Sequence, residues 1–190
     1  SRRDAAPPGA RAPEVSHDPG RDTASGVVIR QATAEDAGAL VELRALMFEA
    51  MGTPVELLEH DAWRDAALEW FIRHIGTAGV RVVVAEVDGV VVTGIVGEVT
   101  SLIPGPGTPN GSVGLISNVA TFPTHRGRGL AGLVTEDLLR WFSSSTDVTR
   151  VDLFATPGGA RIYEPRGFTH RAFPAMSLRV PRVARQAAPG

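Results

Sequence analysis

A strand pattern running into a glycine-rich basic turn that opens a helix constrains this chain more than any other feature. Residues 113–122 are dense in apolar and β-branched side chains and are halted by Pro123. The turn Arg126-Gly127-Arg128-Gly129-Leu130-Ala131 follows, and from Leu130 the apolar positions Leu133, Val134, Leu138 and Trp141 recur at helical spacing. A sheet and a helix must therefore meet at this turn. Unpaired backbone N–H groups converge at a helix start, the helix dipole adds positive charge there, and glycines let an anion approach closely. Arg126 and Arg128 add charge at the same place. On residue types alone this is an anion site or a plain turn.

The rest of the chain supplies both kinds of element. Residues 27–29 read as a short strand, and Thr33 with Asp36 reads as a capping pair that starts a helix carried to about Met51 by Ala37, Leu40, Leu43 and Met47. A second helical stretch is predicted over 56–75, ended by Gly76. Residues 80–87 and 90–102 read as a hairpin about Asp88-Gly89, and the prolines and glycines of 103–112 mark a loop that either connects strands or lies over a ligand. Beyond the break at Ser143-Ser144-Ser145 the pattern predicts a strand at 150–155, a short helix at 160–166, and strand material at 168–173 and 175–180. No internal repeat interrupts this order. The expected fold class is α/β (α+β): one domain over 26–180, a mixed, mainly antiparallel central sheet with helices on both sides. Residues 1–25 are rich in Pro, Gly, Ala and Arg and read as a mobile tail, as do 181–190.

Charge and composition exclude several function classes. The formal charge of −2 gives no global basic field, so nucleic acid is not an expected partner. With no cysteine, disulfides, thiolate catalysis and cysteine-based zinc sites are ruled out. All the basic residues are arginine, so a lysine-dependent nucleotide-phosphate loop cannot be built. No metal is expected: His125, on the turn, has no neighbour at ligand spacing. Apolar runs fall far short of the roughly 20 residues that cross a bilayer, and no apolar stretch follows Arg2 and Arg3, so neither membrane association nor a secretory signal is expected and the location reads as cytoplasmic.

Around the turn, the sequence resembles the GNAT superfamily of N-acetyltransferases, whose pyrophosphate motif reads Arg or Gln, two residues, Gly, one residue, Gly or Ala; Arg126, Gly129 and Ala131 match it. The segment Ile116-Ser117-Asn118-Val119-Ala120-Thr121-Phe122-Pro123 resembles the family's preceding strand, and Ile162-Tyr163-Glu164-Pro165-Arg166-Gly167-Phe168 its later tyrosine motif. The resemblance spans about residues 27–180 and is strongest from 113 to 168. It implies acetyl-CoA as co-substrate and an amine-bearing acceptor. Val119, Ala120 and Thr121 would pair with the pantetheine arm, and Arg126, Gly127, Arg128, Gly129, Leu130, Ala131 and Gly132 would hold the pyrophosphate. Tyr163, the only tyrosine, would be the general acid, its alternative role being a packing aromatic. Asp152 and Glu98 are the candidates for the base that takes the amine's proton, with a chain of waters as the alternative. Asn118 can bond a substrate or its own backbone. The family often carries an Asn before the tyrosine helix, where this chain has Pro157-Gly158-Gly159. The acceptor is expected between the first two helices, near 48–54, and the 103–112 loop. The function implied is transfer of an acetyl or short acyl group to a primary amine by direct attack; a catalytically silent acyl-CoA-binding module is the other reading. A homodimer is compatible with the sequence.

Overall fold

The computed structural model describes residues 26–180. Five strands form one sheet in sequence order: β1 (Val27–Gln31), β2 (Val80–Val87), β3 (Val90–Ser101), β4 (Ser112–Thr121) and β5 (Arg150–Leu153). The first four pair antiparallel and β5 joins β4 in parallel, so the sheet is mixed and mainly antiparallel. Helix α1 (Ala37–Ala50) follows β1, with α2 (Val55–Leu58) and α3 (Asp61–His74) before β2. Helix α4 (Leu130–Ser145) makes the crossover from β4 to β5, and α5 (Pro157–Tyr163) follows β5.

Alternation along β2 builds the two layers. Val83, Ala85 and Val87 face one cluster with Leu130, Val134, Leu138 and Phe142 of α4, while Val82 and Val84 face a second with Leu40, Leu43 and Phe71 of α1 and α3. The α4 residues recur every fourth position, so one stripe of that helix is buried along its whole length. Helix and sheet touch closely at Gly114, where a Cβ would lie 2.8 Å from the ring of the fully buried Phe142. The same ring is also hemmed by Gly97 of β3, where a Cβ would lie 3.0 Å from it. Gly114→Ala is therefore expected to cost about 1–3 kcal/mol by overpacking, measured as a lowered urea midpoint with unchanged slope.

Three expectations from the sequence need correction. The stretch 56–75 is two helices, not one, because His60 takes an extended conformation between them. The carbonyl of Leu58 exposed by that break accepts from Trp63 Nε1 at 3.3 Å and Arg64 Nε at 3.2 Å, which satisfies it without a continuous helix. Residues 168–180 form no strand, and Phe173, Met176, Leu178 and Val180 stand exposed with no ladder beside them. Apolar spacing there reports no buried face. Helix α4 also runs through Ser143 and Ser144 to Ser145, with the Ser143 hydroxyl donating to Arg140 O and the Thr146 hydroxyl to Phe142 O near its end. The predicted tails at 1–25 and 181–190 lie outside the described residues.

Candidate active site

The site arises where β4 parts from β5. Their parallel pairing stops at Ile116 and Leu153, and two residues later along β4 Asn118 adopts φ +55°, a left-handed conformation that asparagine tolerates better than most residues. On the other edge of β4, Gly94 pairs with Ala120 and Val96 with Ser117, so Asn118 and Val119 together oppose the single residue Ile95. This is a β-bulge, and it bends β4 away from its neighbour. Beyond it, the β5-facing backbone of Val119, Ala120 and Thr121 has no partner strand. A cleft of about 660 Å³ opens there, walled by β4 on one side and by residues 153–156 and α5 on the other.

The floor of this cleft is the glycine turn. After a short 3-10 turn at Pro123–His125, Gly127 and Gly129 take φ values of +77° and +76°, and Gly129 sits immediately before α4. That geometry turns successive amides the same way. None of the six N–H groups from Gly127, Arg128, Gly129, Leu130, Ala131 and Gly132 donates to another protein group, the first helical bond being Leu133 N–H to Gly129 O. Such a row of unused donors at the start of a 16-residue helix is an anion nest. Arg126 is held over it by its Nε bond to Thr121 O at 3.1 Å, and it lines the cleft, whereas the Arg128 side chain is exposed and does not. Leu130 contributes its amide to the nest while its side chain is buried in the core.

A split strand, an unpaired edge and an anion nest in one cleft match a known arrangement. The model of the Acetyltransferase (GNAT) family matches residues 40–168. This chain belongs to the GNAT acetyltransferase family. A GCN5-related N-acetyltransferase from Ralstonia eutropha JMP134 superposes with TM-score 0.71 at 23% identity, covering 80% of this chain and 99% of its own. A predicted acetyltransferase with acetyl-CoA from Clostridium acetobutylicum gives 0.69 at 21% identity, covering 80% and 96%. An aminoglycoside N-acetyltransferase in complex with CoA gives 0.64 at 17% identity, covering 83% and 97%. Likeness at these identities carries the fold. By sequence, no curated protein matches the chain. Family membership supports acyl transfer, and the CoA-bound neighbours support acyl-CoA as the donor.

Within the GNAT frame the remaining residues take definite places. Tyr163, at the end of α5, is 7% exposed, packs edge-on against Phe168 with ring centroids 5.7 Å apart, and lines the same cleft as the glycine turn. Its hydroxyl has no protein hydrogen-bond partner, and burial pushes the phenol up to about 12. The helix carrying it is fastened by Arg166, which donates to Ile162 O at 2.6 Å and to Glu136 of α4. Gly132 makes room for that guanidinium, since a Cβ there would lie 2.5 Å from Arg166 Nη2. Thr156 caps α5 through Gly159 N–H, and Gly158 and Gly159 border the cleft without side chains. Backbone thus stands where the family often has an asparagine.

On the opposite side of β4, α1 and α3 border a second cleft of about 910 Å³. The two clefts share Ser117 and Asn118, so the bulge is the seam between them. Glu98 lines this second cleft, half-buried, and no donor or ion-pair partner engages its carboxylate. Asp152 lines neither cleft. Its carboxylate accepts from Arg150 Nε at 3.1 Å and from Arg171 Nη1 at 3.2 Å, so the structure brings it neither to the cleft of Tyr163 nor to that of Glu98. The 103–112 loop is likewise elsewhere: Asn110 and Ser112 tie it to Asp147 after α4, and it borders neither cleft.

Sequence reasoning passed over Arg44. This arginine sits on α1 in the second cleft, with Nη1 3.0 Å from Asn118 Oδ1 and its guanidinium 4.8 Å from the centre of the Phe48 ring. Desolvation lowers its pKa from the ordinary arginine value, with the charge of Glu98 pulling the other way. The signal was present: Leu40, Arg44 and Phe48 follow at i, i+4 and i+8, a cation on the buried stripe. Among the described residues, no three His, Asp or Glu side chains gather as metal ligands, and no helix is long and apolar enough to cross a membrane.

Proposed function

We propose that the protein transfers an acetyl or short acyl group from acyl-CoA to a primary amine by direct attack in a ternary complex. The observation that carries this reading is the meeting of two clefts at the Asn118 bulge, one suited to CoA and one open to a second molecule. The edge of Val119, Ala120 and Thr121, which has no partner strand and whose Thr121 carbonyl is taken by Arg126, suits an arm bearing amides, and residues 126–132 suit its pyrophosphate. The thioester would then lie at the seam, beside Tyr163.

Reaction requires a neutral amine. Ammonium groups carry reference pKa values of about 7.7 to 10.4, so a proton must leave first, and Glu98 is the acceptor carboxylate best placed for it, directly or through water. The nitrogen attacks the thioester carbon, the C–S bond breaks, and the Tyr163 hydroxyl gives its proton to the departing sulfur. As the amide forms, the nitrogen gives up its second proton to water, which returns a proton to the phenol, and amide and CoA thiol are the products. With no cysteine in the chain, no thiol is available for a covalent acyl-enzyme. Alignment of the two reactants supplies much of the rate, worth ~7–11 kcal/mol in favourable cases.

The test is release of CoA thiol from acetyl-CoA across a panel of amines, with binding measured alongside. Turnover of at least one amine is expected, and Glu98→Gln is expected to lower its kcat/KM by about 10²-fold or more. Tight binding of acetyl-CoA with no thiol release across the whole panel would instead identify a silent CoA-binding module.

A further inference from the structure

The second cleft has a charge and shape of its own. Its ionisable lining is Arg44, Arg179, His60 and one carboxylate, Glu98. Acidic residues that would attract a polycation, Glu49, Glu56, Glu59 and Asp61, all lie outside it. Arg44 is half-buried and makes one protein hydrogen bond, to Asn118, with no carboxylate at ion-pair distance. The other guanidinium N–H groups are left without protein acceptors. A desolvated cation with unused, fork-shaped donors is matched by a carboxylate, which can take two of them at once. Around it the wall is aromatic and aliphatic, with Phe48, Trp63, Trp70 and Leu57 among its residues.

Resting on the acyltransferase reading above, we propose that the acceptor is an α-amino acid with a large apolar side chain, its carboxylate held by Arg44. Position decides between this and a longer amino acid. Arg44 is bonded to Asn118, and Asn118 is the seam to which the thioester comes. An anion on Arg44 therefore lies close to the reacting carbon, and the nitrogen must stand only a bond or two from that anion. An α-amino acid has that spacing. Its ammonium then faces Glu98, and its side chain lies along the Phe48, Trp63 and Trp70 wall, where aromatic groups bury area and stack. A flexible diamine or an aminoglycoside would bring several cations against Arg44 and Arg179, which costs rather than gains.

Matched substrates test the assignment with the full chain. L-phenylalanine, its carboxamide and 2-phenylethylamine differ only in the carboxylate, and alanine differs only in the side chain. Phenylalanine is expected to exceed both the carboxamide and the amine in kcat/KM by roughly 10- to 150-fold, the worth of a charge-assisted hydrogen bond. It should exceed alanine as well. Arg44→Gln should collapse the first preference, and Arg44→Lys should restore part of it. Retained acetyl-CoA binding shows that each variant is folded. Equal use of amine and amino acid would overturn the proposal while leaving the acyltransferase reading intact, as would a preference that survives in Arg44→Gln. Calorimetry with CoA present reads the same contrast without turnover. Phenylalanine binding with no thiol release from any amine would sink the enzymatic reading alone, and no phenylalanine binding would sink the assignment.

Discussion

Gly129→Val is expected to weaken acetyl-CoA binding by about 100-fold or more, from the loss of two or more charge-assisted hydrogen bonds worth ~1.5–3 kcal/mol each. Gly129 has φ +76°, and a Cβ built there meets nothing within 4 Å. The substitution therefore creates no clash. What it changes is the backbone, because a β-branched residue resists the left-handed region by ~1–2 kcal/mol or more and relieves the strain by turning out of it. Rotation at this one position re-aims the amides on both sides, and an anion that needs several donors at once loses them together. Gly38→Ala, at an exposed helical glycine of α1 that also has open space, serves as the control and should leave binding unchanged. Titration calorimetry with acetyl-CoA checks both variants. Undiminished binding by Gly129→Val would mean that the nest does not hold the pyrophosphate.

That loop was legible in the sequence because everything that makes it is local. A strand, a proline, two glycines and a helical repeat stand within thirty residues, and each imposes its geometry without distant partners. The β2–β3 hairpin was legible for the same reason, through Asp88 and Gly89, both at positive φ. Tertiary pairing was not. Residues 168–180 carry a strand-like pattern, yet no strand borders them, so the apolar positions remain outside. Asp152 and Glu98 looked alike as acidic residues in strands; only the sheet distinguishes them, giving Asp152 two arginines and leaving Glu98 unpaired at a cleft. Arg44 meets Asn118 across 74 positions of sequence. Its departure from the apolar stripe was visible, but what it faced depended on the bulge in β4. The glycine-turn cleft is therefore written in contiguous residues, and the second cleft in contacts between α1, β3 and β4.

Tyr163→Phe removes one oxygen and leaves the ring against Phe168, so its effect isolates the hydroxyl. A fall in kcat of about 10²- to 10⁴-fold is expected, the usual range for a positioned general acid, with KM for acetyl-CoA little changed. Burial raises the phenol from 10.0 to about 12, which keeps it protonated wherever the amine is reactive. No falling limb from this group should then appear below pH 10. Because Tyr163 is the only tyrosine in the chain, tyrosinate absorbance in the near ultraviolet follows this residue alone, and its midpoint should lie near 12. The sign for stability follows from the same shift. The folded protein holds the proton more tightly than the unfolded chain, so the group's contribution is intact below pH 10 and is lost as pH rises toward 12. Turnover unchanged by Tyr163→Phe at every pH would assign the residue to packing, since a buried ring without a working hydroxyl fills space equally well in either side chain. The two measurements separate the possibilities: an elevated midpoint alone reports burial, whereas an elevated midpoint together with a lost kcat reports a proton held in place for the departing sulfur.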